Sequence, residues 1–234
     1  MSGARGFNTT DGVGTTDSIV LANTTHYSPV TYSFWATRHG TGGGGIGRAF
    51  QKGTTADTRP ALFVIDSGGG AIKMNYAHPW TTTGEWRWDA FAADGSGHWT
   101  CITYDGGATT NAPLVWVDGS SVTVTLQAAP TGSLTTNTEA WVLGNRKSDN
   151  ARCWDGQIGV FGMWRRALTP YEAMKVSRGY SPLWFTLGLV ACVDSALTTD
   201  ARNAGPTLTG TKVTGGPLVI YPPSAMARWL RVAA

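Results

Sequence analysis

Charge is scarce in this sequence of 234 residues. Charged side chains make up 14% of the chain, whereas soluble proteins carry about a quarter. The net charge of +3 comes from scattered arginines rather than from a basic run, which argues against a nucleic-acid partner. The longest apolar run, residues 183–193, has eleven residues, and a membrane-spanning helix needs about 18. We therefore expect neither nucleic-acid binding nor membrane insertion.

The N-terminal stretch and the cysteines set further limits. Residues 1–14 contain no apolar segment of the signal-peptide kind, so we expect no secretory signal and synthesis in a cytoplasm. Cys101, Cys153 and Cys192 are odd in number and have no C-x-x-C spacing. A disulfide framework or a zinc site is therefore not expected, whereas buried free thiols are.

Glutamate is rarer still, with only Glu85, Glu139 and Glu172, far apart in the chain. Glycoside hydrolysis needs two carboxylates held together, and residues i and i+2 share one face of a strand. No predicted strand carries such a pair, and the nearest candidates, Glu85 and Asp89, are spaced by four. The four histidines are dispersed, and no Ser/His/Asp set stands out by its spacing. We predict a protein that is not an enzyme.

Glycine, tryptophan and short alternating segments are what the chain has in quantity, with 31 Gly and 11 Trp. In residues 30–37, Val30, Tyr32, Phe34 and Ala36 share one face of a predicted strand. Further short segments follow every 8–12 residues, separated by Asp-Gly and Gly-rich turns. This spacing is typical of an all-β sandwich.

A G-x-G-x-x-G pattern occurs at Gly42, Gly44 and Gly47. A dinucleotide site would require a helix directly after it, with the helix N-terminus facing the phosphates. Residues 48–53 instead have the pattern of a strand and a turn. We therefore expect residues 38–47 to form a flexible loop at the rim of the sandwich.

One helix is predicted, near residues 170–178. Thr169 is placed to be its N-cap, Pro170 stands at the first helical position, and Glu172 completes a capping box. Arg178 and Gly179 supply the cation and the glycine that commonly end a helix.

Several motifs in a fixed order resemble those of laminin-G-like, or concanavalin A-like, jelly rolls. They are the segments DSIVL (17–21), YSFWA (32–36), HWTCITYDG (98–106), LVWVDG (114–119), VLGN (142–145) and the strand-corner-helix segment 154–176. The resemblance covers about residues 15–178. It implies a sandwich of two antiparallel sheets with the short helix packed at its end, and it does not imply one function, because this fold hosts many.

The same resemblance bears on calcium, which many laminin-G-like domains hold. Their terminal strand often begins with Asp-Glu, and the matching positions here are Gly159 and Val160. Because calcium usually requires two or more carboxylates, we expect no metal or other cofactor. A structural calcium held by Asp11, Asp17 and Asp155 is the disfavoured alternative.

Residues 181–234 extend beyond the usual end of such a domain. We therefore divide the chain into a sandwich, 1–180, and a C-terminal extension, 181–234, in which the run 183–193 is either buried strands or an embedded helix. The apolar extension either closes the sandwich on its own subunit or docks on a neighbouring protein. The candidate docking residues are Leu183, Trp184, Phe185, Tyr221 and Trp229.

A second candidate site combines tryptophans with arginines. Its residues are Trp80, Trp86, Arg87, Trp88, Arg152 and Trp154. If the indoles are exposed, Trp86 and Trp88 on one face of a strand would suit stacking on sugar rings. The alternative is that they fill the sandwich or lie at a subunit contact, where Trp and Arg are also enriched.

Two functions follow as hypotheses. The first is a non-catalytic virion structural protein of a phage, a stand-alone jelly roll on the surface of a capsid or tail, assembled as a homo-oligomer with capsid or tail proteins. The second is a carbohydrate-binding module that recognises surface glycans. An unrecognised hydrolase using Asp89 or Glu85 is a third alternative, disfavoured by the spacing of the carboxylates.

Overall fold

A computed structural model describes residues 3–6, 18–21, 28–52, 60–68, 70–135, 139–146, 151–194, 210–213 and 218–220. These residues form one α-helix, α1 (Pro170–Val176), and eighteen strands. The strands are β1 (Gly3–Gly6), β2 (Ser18–Leu21), β3 (Val30–Ala36), β4 (Arg48–Lys52), β5 (Ala61–Asp66), β6 (Ile72–His78), β7 (Trp80–Thr82), β8 (Gly84–Asp89), β9 (His98–Tyr104), β10 (Leu114–Val117), β11 (Ser120–Val122), β12 (Thr125–Ala128), β13 (Thr131–Leu134), β14 (Trp141–Leu143), β15 (Gln157–Trp164), β16 (Leu189–Asp194), β17 (Gly210–Val213) and β18 (Leu218–Ile220).

The strands form two large sheets and one small one. The first sheet has the order β11-β10-β9-β3-β15-β1-β18, with β16 also paired to β15. The second has the order β12-β8-β6-β5-β4-β14-β2-β17, and β7 pairs with β13 on its own. Every strand pair among the described residues is antiparallel. The all-β sandwich predicted from the sequence is confirmed.

An aromatic layer fills the space between the sheets. Tyr32 lies at its centre, with ring centroids 4.9 Å from Phe50, 5.4 Å from Trp141 and 6.4 Å from Phe161. These rings come from both sheets, so each sheet buries its inner face against the other. The predicted inner face of β3 is confirmed, because Val30, Tyr32, Phe34 and Ala36 all belong to this core.

The outer face of the first sheet is buried as well, because α1 packs against β9. The helix contributes Ala173 and Val176 to a second apolar cluster. That cluster also contains residues of the sheet and of the corner before the helix, namely Cys101, Trp116, Trp164 and Leu168. All three cysteines are free and buried, and burial raises the pKa of the Cys101 thiol well above its usual range.

A hydrogen-bonded corner connects β15 to α1. Thr169 caps the helix, with Glu172 completing the predicted capping box, and the helix ends at Val176. Arg166 donates two hydrogen bonds to the Glu172 carboxylate, at 2.8 and 2.7 Å. Thr31 of β3 ties the corner to the sheet by donating to the Arg166 carbonyl and accepting from the Leu168 N–H. The predicted strand, corner and helix are therefore all present.

The described parts of the C-terminal extension pair with strands of residues 1–180. Residues Pro182–Trp184 form a short 3₁₀ turn, after which β16 pairs with β15. Further along, β17 pairs with β2, and β18 pairs with β1. Whether residues 181–234 also act as an arm toward a partner stays a prediction. Within the described part of the chain, no helix has the length and apolarity to cross a membrane.

The free energy of unfolding of the Glu172→Gln variant should depend less on pH in the acid range than that of the wild type. The bonds from Arg166 and Thr169 lower the pKa of Glu172 from 4.5 to about 2. A carboxylate with a depressed pKa stabilises the fold above its unfolded pKa, and this stabilisation is lost as pH falls from about 4.5 toward 2. We expect E172Q to cost about 2 kcal/mol at pH 7 and progressively less below pH 4.5.

Urea unfolding of both proteins at pH 7, 4 and 2.5 measures this difference. A gap between the wild type and E172Q that stays constant across this range would contradict the role assigned to the Arg166–Glu172 pair.

Candidate ligand-binding surface

The two tryptophans predicted to grip a sugar point into the core. Trp86 and Trp88 are only 2% and 3% exposed, and the Trp86 ring lies 5.1 Å from that of Tyr104. The alternation of β8 turns both rings inward, so they fill the sandwich, which is the alternative to stacking on sugar rings. A ring that stacks on a sugar needs a free face, so a ligand role for these two residues stays a prediction without support from their position.

Trp80 and Trp154 are buried too. The Trp80 indole donates a hydrogen bond to the Tyr104 hydroxyl at 3.0 Å, and the Trp154 indole donates to the Thr37 carbonyl at 2.8 Å. Each indole N–H thus has a partner inside the protein, as buried tryptophans normally do. Trp80 ties β7 to the core, and Trp154 ties the segment before β15 to it, so neither indole lines a surface.

Arg152 holds the glycine-rich loop in place. Its guanidinium donates to the Gly44 carbonyl at 2.7 Å, and a Cβ at Gly44 would lie 2.0 Å from its Nη1. Gly43 also donates to the Cys153 carbonyl. The loop predicted as flexible is therefore packed against residues 151–153. Strand β4 (Arg48–Lys52) follows the glycine pattern where a dinucleotide site would need a helix.

A row of aligned side chains crosses the face of the second sheet that points away from the core. Strand pairing places five residues side by side, one from each of β4, β5, β6, β8 and β12. We call this set the polar row: Arg48, Phe63, Asn75, Arg87 and Thr125. Its chain neighbours in β6 and β8 belong to the core, so alternation directs the row outward.

The members of the polar row hold one another in position. The Arg48 guanidinium lies over the Phe63 ring, 4.1 Å from its centroid, in a cation–π arrangement. Arg87 donates from Nε to Oδ1 of Asn75 at 2.7 Å. Asn75 is fully buried, yet its Nδ2 group has no hydrogen-bond partner in the structure. Buried donors are ordinarily satisfied by protein, water or a ligand.

Carboxylates and a lysine flank the polar row. Glu85 lies two residues before Arg87 on the same face of β8, and Asp89 lies two residues after it. Asp89 makes a salt bridge with Lys73 of β6. The surface around the row thus carries both signs of charge, with the two guanidinium groups within the row itself.

Sequence reasoning selected one member of this row, Arg87, and missed the others. The alternation in residues 72–78 and 84–89 separates inward from outward residues, so part of the signal was available. The sequence does not give the register between strands, and Arg48 and Arg87 are 39 positions apart in the chain. Only strand pairing brings them to the same row.

The predicted docking residues fall into three groups. Trp184 is 47% exposed and makes an edge contact with Tyr180 at 5.2 Å. Leu183 and Phe185 are half-buried, and Phe185 packs against the apolar cluster beneath α1. Tyr221 and Trp229 lie outside the described residues.

The positions considered for calcium do not come together among the described residues. Gly159 and Val160 are buried in β15, and Asp155 packs against Gly40, where a Cβ would lie 2.4 Å from Oδ2. Asp11 and Asp17 lie outside the described residues. Within the described part of the chain, no three His, Cys, Asp or Glu side chains gather as a metal site would require.

Two solved structures share this architecture. One is a heptameric SAP-like pentraxin from Limulus polyphemus, with a TM-score of 0.54 and 12% identity over 71% of this chain and 84% of the pentraxin. The other is a proposed carbohydrate-binding protein from Bacteroides ovatus, with a TM-score of 0.62, 13% identity and 94% of this chain covered. This chain spans 62% of the length of the Bacteroides protein.

These similarities show that the fold is shared, and they show nothing about the ligand or the function of this chain. At such low identity, a shared sandwich does not carry a shared ligand. Domains LG4-5 of the mouse laminin alpha1 chain also match, at a TM-score of 0.46 and 12% identity over 73% of this chain and 44% of that one, which is too distant to add to the argument. No protein-family model matches the chain, and no curated protein matches it. The jelly-roll β-sandwich expected from the sequence motifs is confirmed as the fold of this chain.

Substitutions on the two sides of β8 should lower the stability by different amounts. Trp86→Ala removes a buried ring and should cost about 3–5 kcal/mol. Arg87→Met keeps an apolar stem on the outer face but leaves Oδ1 of the buried Asn75 without its donor, so it should cost about 1–2 kcal/mol. Urea denaturation of the two variants makes the comparison, and equal losses would contradict the assignment of faces.

Proposed function

We propose that the chain is a non-catalytic glycan-binding protein and that the accessible end of the polar row, Arg87 and Thr125, lies on its contact surface. The observation that carries the proposal is the half-buried Arg87 side chain, whose Nε donates to Oδ1 of the buried Asn75 at 2.7 Å, so that the guanidinium is held in one orientation on the outer face. The carbohydrate-binding name of the Bacteroides ovatus protein, which shares the fold, gives this proposal independent support.

The chemistry of the row suits sugars. Glycan hydroxyls both donate and accept hydrogen bonds, and amide and guanidinium groups present several donors in fixed geometry. Arg87 is mounted on β8 beside Asn75 of the neighbouring strand β6, and residues on strands are held more precisely than residues on loops. Arg87 therefore offers pre-organised guanidinium donors to a ligand on the outer face of the sheet.

The flanking carboxylates argue for binding rather than hydrolysis. Glu85 and Asp89 share a face of β8 but are separated by four residues, or about 13 Å along the strand. Glycosidases hold their two carboxyl groups roughly 5–9.5 Å apart. Asp89 is also paired with Lys73. We therefore propose that the protein binds glycans without cleaving them.

We also propose that the protein holds no structural metal. Because the described carboxylates are dispersed, treatment with EDTA should change the melting temperature by less than about a degree. Calorimetry with and without EDTA, and with added calcium, measures this. A fall of several degrees that calcium reverses would show a site that includes residues outside the described ranges.

Removal of the Arg87 guanidinium should weaken glycan binding selectively. Charge-assisted hydrogen bonds contribute about 1.5–3 kcal/mol, so Arg87→Met should lower the affinity for the best ligand of a glycan array by roughly 10- to 100-fold. Arg165→Met is the matched control, because Arg165 is exposed at the end of β15, on the other sheet.

Isothermal titration of wild type, Arg87→Met and Arg165→Met against that glycan gives the comparison. An array without any binding above background would refute the proposed function. Equal losses of glycan affinity in both variants would show that the polar row is not the binding site.

The virion role predicted from the sequence stays a prediction, and so do its phage partners and its location on a virion surface. Neither structure used for the fold comparison is a virion protein by its name. The pairing of β16 with β15 is compatible with closure of the chain on itself. Detection of the protein in purified particles by mass spectrometry is the measurement that would establish this role.

A further inference from the structure

One tryptophan among the described residues has an open ring. Trp184 is 47% exposed, whereas the other tryptophans of the described ranges are buried or, in the case of Trp99, half-buried. The faces of a buried indole are covered by the protein itself. Trp184 is therefore the indole in the described part of the chain that a ligand can reach and stack on.

Trp184 belongs to a cluster of aromatic rings around one lysine. Its ring meets that of Tyr180 at 5.2 Å, with an angle of 76° between the planes. The Lys175 ammonium lies 4.9 Å from the centroid of Tyr180 and 5.2 Å from that of Tyr171, within the range of cation–π attraction. We call these four residues, on α1 and the turns after it, the aromatic patch: Tyr171, Lys175, Tyr180 and Trp184.

The backbone beneath Trp184 is fixed to the core. The hydroxyl of the buried Ser181 accepts from the Leu183 N–H at 3.2 Å, and the Ser181 carbonyl accepts from the Trp184 N–H at 3.0 Å. The carbonyl of the next residue, Phe185, accepts from the indole of the buried Trp164 at 2.6 Å. The Trp184 ring is thus presented from a rigid turn, and a pre-organised surface loses less entropy when it binds a ligand.

The charge next to the aromatic patch leaves donors for a ligand. Between Asp155 and Asp194 the sequence has one acidic residue, Glu172. Its carboxylate already accepts two hydrogen bonds from Arg166, at 2.8 and 2.7 Å. The Lys175 ammonium, with three N–H donors, therefore stands between two tyrosine rings beside a carboxylate that is committed to another cation. Such donors suit the hydroxyl and ring oxygens of a sugar.

The size of the aromatic patch favours a small ligand over a protein. Tyr171 is 62% exposed, and since an aromatic side chain measures about 150–250 Å², the open parts of Tyr171 and Trp184 together offer roughly 250 Å². Lys175 and Tyr180 are half-buried and add less. A stable protein interface buries about 800 Å² on each partner. One or two sugar rings, each with a flat C–H face, match the smaller area.

We propose that the aromatic patch is a second glycan-binding site, separate from the polar row, a proposal that rests on the glycan-binding function proposed above. The C–H face of a sugar ring stacks on the Trp184 indole, whose face carries the negative part of the ring quadrupole. Tyr180 stands nearly perpendicular beside it, and Lys175 donates to the sugar oxygens. The two sites lie on opposite outer faces of the sandwich, because α1 packs on the first sheet and the polar row belongs to the second. One chain therefore binds two glycans at once.

The test is made in the Arg87→Met background, in which the polar row is weakened, so that the remaining binding reports on the aromatic patch. The probes are oligosaccharides of glucose, galactose, mannose and N-acetylglucosamine, screened on an array and then titrated by calorimetry. We expect Arg87→Met to retain binding of at least one of them. Adding Trp184→Ala should lower that affinity by at least about 10-fold, as truncation of a central aromatic contact does.

Three further variants in the same background control for folding and for exposed apolar surface. Trp184→Phe keeps a ring and should lose less affinity than Trp184→Ala. Tyr171→Ala removes the most open ring of the aromatic patch and should also weaken binding. Leu114→Ala is the matched control, because Leu114 is 57% exposed on β10 and has no ring, and it should leave the affinity unchanged. Melting temperatures establish that each variant is folded.

A spectroscopic measurement locates the bound sugar. Acrylamide quenches the fluorescence of accessible tryptophans, and a sugar stacked on Trp184 shields that ring. We expect a saturating oligosaccharide to reduce the quenching of the Arg87→Met protein and to leave that of the variant with both Arg87→Met and Trp184→Phe unchanged.

The possible failures are distinguishable. If Arg87→Met abolishes all glycan binding, or if adding Trp184→Ala to it changes no affinity, the second site is overturned and the glycan-binding function stands. If Trp184→Ala leaves glycan affinity unchanged but dissociates an oligomer in sedimentation experiments, the aromatic patch is instead a contact between copies of the chain. If no oligosaccharide binds the wild-type protein, the proposed function fails and the second site fails with it.

Discussion

The packing of aromatic rings between the two sheets is the constraint on which the rest of this structure depends. Tyr32 of the first sheet meets Phe50 and Trp141 of the second within 5.5 Å. Since side chains alternate along a strand, a slip of one residue would move an entire set of rings from the core to the surface. The rings therefore fix the register of every strand that contributes one.

That register also determines the outward surface. When Met74 and Tyr76 of β6 face the core, Asn75 between them must face outward. The same holds for Arg87 between Trp86 and Trp88. The alignment of Asn75 with Arg87 is thus a consequence of core packing on the opposite face. A mutation that disturbed the aromatic layer would also displace the polar row, although it changes no residue of that row.

Local features of the structure could be predicted from the sequence, and long-range ones could not. The capping box at Thr169 and Glu172 depends on residues three apart, so its signal lies within one short segment. Alternation likewise indicated that Trp86 and Trp88 share a face, but it could not say which face. That choice is made by rings such as Tyr104, which come from a distant strand. The partners of Arg87 in the polar row are equally distant, for the same reason.

The two sheets differ in what covers their outer faces, and this difference locates the candidate site. On the first sheet, α1 and the corner before it bury an apolar cluster that includes Cys101, Trp116 and Trp164. The outer face of the second sheet instead carries arginine, lysine, asparagine and carboxylate side chains on β4, β6 and β8. Placing charged groups along a β-sheet costs stability unless they are paired or solvated. Asn75 at the centre of that face is fully buried, and its Oδ1 accepts a hydrogen bond from Nε of Arg87, so a buried amide holds the arginine of the row that remains partly accessible.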